Sequence, residues 1–159
     1  MNNAEFKLNI VLHEPEIPQN TGNIARTCSV VGADLHLIKP LGFSVEDRYL
    51  KRAGLDYWDK LNVYYYENFS ELAESHAGKE FYYFTTKGKR NHCEPTYASD
   101  CFIVFGKETA GLPDDLLCAN PDRCFRIPMM EGIRSLNLSN SVSVVVYEVL
   151  RQNGYPGLR

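Results

Sequence analysis

Short runs rich in β-branched and aromatic residues recur along the chain, with stretches of helical pattern between them. LNIVLH (8–13), LHLIK (35–39), NVYYY (62–66), EFYYFT (80–85), CFIVF (101–105) and CFRIP (124–128) read as strands. NTGNIARTCSVVG (20–32), EDRYLKRAGL (46–55), NFSELAESHA (68–77) and PDDLLCA (113–119) read as helices. This alternation constrains the fold more than any other feature, because strands joined through helices lie parallel and need helices on both faces of their sheet. The fold class expected is therefore α/β, with a mostly parallel sheet flanked by helices. The 159 residues suffice for one buried core and show no internal repeat, low-complexity segment or linker, so a single domain over 1–159 is expected.

One stretch looks like two sequences joined. In RSLNLSNSVSVVVYE (134–148) a small polar half leads into a β-branched half. As a strand, Val144, Val145, Val146 and Tyr147 alternate poorly. As a helix, Leu138, Val142, Val145, Val146, Val149 and Leu150 form a single stripe. Asn137 or Ser139 can cap its start, Arg151 sits in the last turn, and Gly154 with Pro156 ends it. Ser135, Ser139 and Ser143 line up four apart if the helix reaches back that far; they are either solvated cap residues or a small-residue row that admits a ligand.

Composition mainly excludes. A net charge of −3 gives no global basic signature of a nucleic-acid binder, although local patches can still serve. Five cysteines without a CxxC pair suggest neither a disulfide framework nor a zinc site, and fit a reducing cytoplasm. The four histidines have no ligand spacing, so no metal is expected. The start MNNAEFKLNIVL lacks a signal-peptide pattern, and no apolar stretch reaches membrane-spanning length, so no membrane is expected as a partner. The Asn-x-Ser sequons at Asn68 and Asn137 are then coincidental.

Three segments offer chemistry. GKETAGLP (106–113) follows a strand, where α/β proteins place ligand loops. Its glycine spacing matches a phosphate loop, but Leu112-Pro113 stands where Lys-Ser/Thr is required. What remains is a glycine turn beside Glu108, which could hold a hydroxyl or a cation, or else a helix entry with Pro113 at N1. In EPEIPQNTGNIAR (14–26), Asn20 or Thr21 can cap the first helix. Arg26 is either a surface ion-pair partner or a fork-shaped donor for phosphate or ribose oxygens. Basic residues also cluster as Arg48, Lys51 and Arg52, and as Lys87, Lys89 and Arg90.

Together, NTGNIAR (20–26), IVFGKETAGLP (103–113) and RIPM…RSLNLSNSVSVVVYE (126–148) resemble the SPOUT superfamily of RNA methyltransferases. The resemblance is strongest to its single-domain tRNA (cytidine/uridine-34) 2′-O-methyltransferases. PEIPQNTGNI, RAGLDYW (52–58) and TTKG (85–88) extend it over nearly the whole chain. It implies a C-terminal deep trefoil knot over approximately 80–155, a homodimer, and S-adenosylmethionine held by the knot loops. By position it makes Phe84, Thr85, Gly106, Ile127, Met129, Ser135 and Leu136 cofactor-binding. Asn20, Lys87 and Arg134 are implied to meet RNA, and Arg26 to stand near the acceptor hydroxyl as the catalytic residue.

The implied reaction methylates the ribose 2′-hydroxyl of the wobble nucleotide, in leucine tRNAs. Arg26 cannot serve as a general base, since a guanidinium stays protonated; binding the adjacent phosphate and stabilising the developing alkoxide suit it. Two alternatives keep the fold: another tRNA position or ribosomal RNA as target, and a non-catalytic RNA-binding protein. Whatever the RNA, a chain of net charge −3 must bind it through local cations. Affinity for tRNA should fall steeply as salt rises from about 50 to 200 mM, a loss on the order of tenfold per two or three phosphates neutralised, measurable by filter binding.

Overall fold

The computed structural model describes residues 5–159, apart from the side chains of residues 53–55. The chain runs β1 (Lys7–His13), α1 (Pro18–Val31), β2 (Asp34–Ile38), α2 (Arg48–Trp58), β3 (Val63–Tyr66), α3 (Phe69–Ser75) and β4 (Glu80–Phe84). It continues through β5 (Arg90–Asn91), β6 (Asp100–Phe105), α4 (Asp114–Ala119), a 3-10 turn, β7 (Cys124–Arg126) and α5 (Leu138–Gln152). The seven strands form one sheet in the order β3-β2-β1-β6-β4-β7-β5, and every neighbouring pair is parallel. The expected α/β class therefore holds.

Strand period sorts the core into two layers. Leu8, Ile10 and Leu12 of β1 join Leu35 and Leu37 of β2 on one face, where α1 and α5 cover them. Val11 and Ile38 point the other way, toward Leu72 of α3 and the partly buried Leu116 and Leu117 of α4. Helix α5 forms as its stripe requires: Val142, Val145, Val146, Val149 and Leu150 are all fully buried. Truncating Leu150 to Ala at such a site costs about 2–5 kcal/mol.

Several local expectations need correction. Helix α1 begins at Pro18 with Ile17 in the cap position, so Asn20 and Thr21 lie inside its first turn and cap nothing. Helix α5 begins at Leu138, leaving Ser135 outside the row of serines. Pro113 occupies the cap position of α4 rather than its first turn. The last strand stops at Arg126, before Ile127 and Pro128. Both sequon asparagines are helix caps: Asn68 accepts from Glu71 N–H, and Asn137 from Ser139 and Asn140 N–H.

The short strand β5 was not foreseen, and it matters. β7 lies between β4 and β5, which are consecutive strands of the chain. Residues 85–89 must therefore arch across β7 to reach its far side. The crossing is tight: a methyl group at Gly88 would come within 2.6 Å of the Phe125 carbonyl carbon. Thr85 N–H on one side donates to Phe125 O at 2.9 Å, and His92 N–H on the other donates to Arg126 O at 2.8 Å.

A polar chain crosses the α3 side of the sheet. Asn9 Nδ2 donates to the Cys101 carbonyl at 3.2 Å, so its Oδ1 accepts from His36 Nε2 at 3.0 Å. His36 Nδ1 then accepts from the Tyr66 hydroxyl at 2.9 Å, and the Tyr66 oxygen accepts from His76 Nε2 at 3.2 Å. Burial, reinforced by His76, holds His36 well below its ordinary 6.5, at about 4. Neutral His36 thus stabilises the fold above pH ~6.5, and that stability is lost as pH falls toward ~4, by up to about 3 kcal/mol. Burial lowers His13 and His76 in the same direction. The melting midpoint should drop between pH ~7 and ~4, and His36→Asn should flatten that dependence, whatever its effect on the midpoint at neutral pH.

Candidate functional site

In a wholly parallel sheet all strands end on one edge, and the loops leaving β4, β6 and β7 emerge there side by side. Ligands of open α/β sheets bind at that edge. The loops wall a cleft of about 520 Å³, within the ~300–1,000 Å³ usual for small-molecule sites. The end of β4 contributes Phe84, the loop after it Thr85 and Lys87, and the loop after β6 Gly106. The loop after β7 contributes Ile127, Met129, Arg134, Ser135 and Leu136, and α1 adds Asn20. Thus every cofactor and RNA candidate read from the sequence meets here. Arg26, the catalytic candidate, is not among the cleft's lining.

The second loop is built around two glycines. Gly111 has φ +67° and donates to the Lys107 carbonyl at 2.9 Å, closing the turn. A methyl group at Gly106 would overlap the backbone of Gly111 and Leu112. The loop can fold back on itself only because position 106 carries no side chain.

Glu108 was expected to hold a ligand hydroxyl or a cation, and its carboxylate is instead already engaged. Oε2 accepts from Glu16 N–H at 2.8 Å, while Oε1 accepts from Ile17 N–H at 3.0 Å and from Asn20 Nδ2 at 3.2 Å. A carboxylate at the entry of α1 satisfies N–H groups that the helix leaves free and complements its positive end. Glu16 reciprocates by accepting from Thr109 N–H at 3.1 Å and from its hydroxyl at 2.8 Å. No local sequence signal could have paired groups 92 and 93 positions apart.

The clasp continues into the third loop. Asn20 Oδ1 accepts from Asn137 Nδ2 at 3.0 Å. Asn137 Oδ1 in turn accepts from Ser139 N–H at 2.9 Å and Ser139 Oγ at 2.6 Å, capping α5. The small polar residues at this helix entrance therefore have one hub, Asn137. Ser143, a turn further on, lies 3.3 Å from the Thr27 hydroxyl of α1, tying the two helices together.

Electrostatics around the cleft are locally balanced. Lys87 pairs with Asp114 at 2.7 Å, which raises its affinity for a proton. Lys107 stands 3.3 Å from Glu14, whose carboxylate lies 3.4 Å from His13 Nδ1. Burial depresses His13 despite that carboxylate, keeping it neutral near pH 7. Of the other basic residues, Lys51 pairs with Glu46, Arg48 covers Tyr49, and Arg90 lies over Phe125. Arg26 projects from α1 away from the cleft lining, with its guanidinium 5.2 Å from the Tyr57 ring centroid.

Comparison with known proteins places this arrangement. The model of the SpoU rRNA Methylase family matches residues 7–147. A relative from Escherichia coli (strain K12), named tRNA (cytidine(34)-2′-O)-methyltransferase, is 48% identical over 94% of this chain and 96% of its own length. A solved structure described as giving structural insights into the 2-OH methylation of C/U34 on tRNA superposes with a TM-score of 0.89. It is 40% identical and covers 94% of this chain and 97% of that one. The fold also matches the SpoU methyltransferase AviRb from Streptomyces viridochromogenes, solved in complex with AdoMet, at a TM-score of 0.82. That likeness is 24% identical and covers 98% of this chain and 60% of that one.

Glu108→Gln would set an amide NH2 donor against an N–H donor where an acceptor now stands, and should lower stability by about 1–3 kcal/mol, a loss of several degrees in the melting midpoint. Gly106→Ala should leave the far-ultraviolet circular dichroism nearly unchanged while weakening ligand binding in the cleft at least about tenfold, readable by calorimetry.

Proposed function

The chain belongs to the SpoU rRNA methylase family. From that premise we propose that it transfers a methyl group from S-adenosylmethionine to the ribose 2′-hydroxyl of tRNA nucleotide 34, a cytidine or modified uridine, with leucine tRNAs as substrates. The observation that carries this reading is near-full-length identity of 48% to a relative named for 2′-O-methylation of cytidine 34 in tRNA. The site fits the methyl donor. Its walls combine buried Phe84 and Leu112 with backbone and small polar groups, and at Gly106 the backbone itself forms the surface. Such a lining suits an adenosine whose arm carries a compact cationic sulfur and an amino-acid end.

Phe84, Thr85, Gly106, Ile127, Met129, Ser135 and Leu136 would hold the donor. Bound there, it supplies a methyl group on a positively charged sulfur, so displacement by a ribose oxygen depends mainly on alignment and exclusion of water. The residues of the chain provide that alignment. Asn20, Lys87 and Arg134 line the same cleft and are assigned to the RNA. Arg26 is assigned to the phosphate beside the acceptor and to the alkoxide developing on it, with the hydroxyl proton passing to phosphate or water. Its five fixed N–H donors suit both tasks and its charge persists throughout.

Because Arg26 does not line the cleft of its own chain, we read the working enzyme as a homodimer in which it serves the cleft of a second copy. Supporting this, α1 and α5 together leave apolar side chains in water: Val30 is 57% exposed, Val144 41% and Tyr147 46%. Residues 80–155 are read as the deep trefoil knot, supported by the passage of β7 beneath residues 85–89, and the chain as one domain over 1–159. No described helix is long and apolar enough to cross a membrane; we assign the protein to the cytoplasm, with its tRNA.

The family model's own description favours a second target, ribosomal RNA. Transfer of labelled methyl to total RNA, followed by mapping, separates the two: label at tRNA position 34 is expected, and label in ribosomal RNA alone would overturn the wobble assignment. Arg26→Lys should lower kcat by about 5- to 100-fold through loss of the fork, with binding of S-adenosylmethionine unchanged. An unchanged rate with unchanged tRNA affinity would overturn the fork-donor role of Arg26.

A further inference from the structure

The segment RAGLDYW (52–58) runs through the end of α2, and no role described so far uses it. Its Tyr57 is half-buried, and the adjoining Trp58 packs against the core that α1 and α5 share. α2 lies along α1, and the Tyr57 ring meets the Arg26 guanidinium with 5.2 Å between Cζ and the ring centroid. Arg26 itself is exposed. Among the described residues, no carboxylate stands within ion-pair distance of it.

These facts suit a cation that must be placed without being neutralised. An exposed arginine samples many rotamers, and freezing them costs free energy at the moment of use. A carboxylate would fix the side chain but would occupy its fork and cancel its charge. An aromatic face restrains the guanidinium plane through the ring quadrupole and consumes none of the five N–H donors. We propose that Tyr57 is a positioning residue: it holds Arg26 in a restricted arrangement, with charge and donors free for the phosphate and 2′-oxygen of the acceptor. The proposal rests on the reading that Arg26 acts at the acceptor. It gives RAGLDYW a role beyond covering the core.

A double-mutant cycle on the full-length protein tests it, with Tyr57→Leu, Tyr57→Phe, Arg26→Ala and the combination Tyr57→Leu/Arg26→Ala. For each, kcat with tRNA, the dissociation constant for S-adenosylmethionine and the melting midpoint are measured. Tyr57→Leu should lower kcat between about 3- and 30-fold, the range of a cation–π contact, with cofactor affinity unchanged. Tyr57→Phe, which keeps the ring face, should restore most of the rate. Added to Arg26→Ala, Tyr57→Leu should cost little more, because its effect passes through Arg26. A wild-type rate for Tyr57→Leu would overturn the proposal. So would a Tyr57→Phe as slow as Tyr57→Leu, full additivity in the double variant, or a loss of cofactor affinity that tracks a fallen melting midpoint. A wild-type rate for Arg26→Ala would instead overturn the reading of Arg26, and the role of Tyr57 with it.

Discussion

The carboxylate of Glu108 holds the site together. It sits on the loop after β6, yet its acceptors serve the entry of α1, at 2.8 and 3.0 Å from the Glu16 and Ile17 nitrogens. Through Asn20 the connection passes to Asn137, and so to the first turn of α5. One side chain therefore fixes the second loop, the helix that carries Arg26 and the start of the third loop relative to one another. Few of these groups can be altered singly without leaving a donor or acceptor unmatched, which makes the arrangement stiff. Stiffness is what alignment chemistry asks of a scaffold, since misplacement of reacting groups by about an ångström can cost on the order of a hundredfold in rate.

The distribution of charge follows the same economy. The chain is acidic overall, and several of its cations are already paired, Lys87 with Asp114 and Lys107 with Glu14. Arg26 is managed differently, against an aromatic ring. A protein that presented many unpaired cations would bind any RNA. One that commits several of them to internal partners narrows recognition toward the remaining positions and toward shape, which favours discrimination over raw affinity.

Much of this was legible in the sequence. Alternating apolar runs dictated the parallel sheet, and the spacing of Leu138, Val142, Val145, Val146, Val149 and Leu150 outweighed β propensity to give α5. The residues assigned to the cofactor by family likeness do gather in one cleft, because each stands at the carboxyl end of a strand or in the loop that leaves it. What escaped was long-range. Glu108 looked free because the groups it serves stand 88 to 92 residues away. Asn20 does not cap α1, because its side chain bridges Glu108 and Asn137 instead. Strand β5 has two residues and no pattern; it exists because β7 offers an edge beside Arg90 and Asn91.

The passage of β7 beneath residues 85–89 also means that the sheet is completed out of sequence order. The strands β3, β2, β1, β6 and β4 are complete once Phe105 has been made, and they can pair among themselves. Residues 124–126 must then slide between β4 and a segment already behind them in the chain. The third wall of the cleft follows them and cannot stand earlier. The wall that completes the cleft, from Ile127 to Ser141, is thus encoded in the last third of the chain. A chain that stops short of Ile127 has no third wall for the cleft.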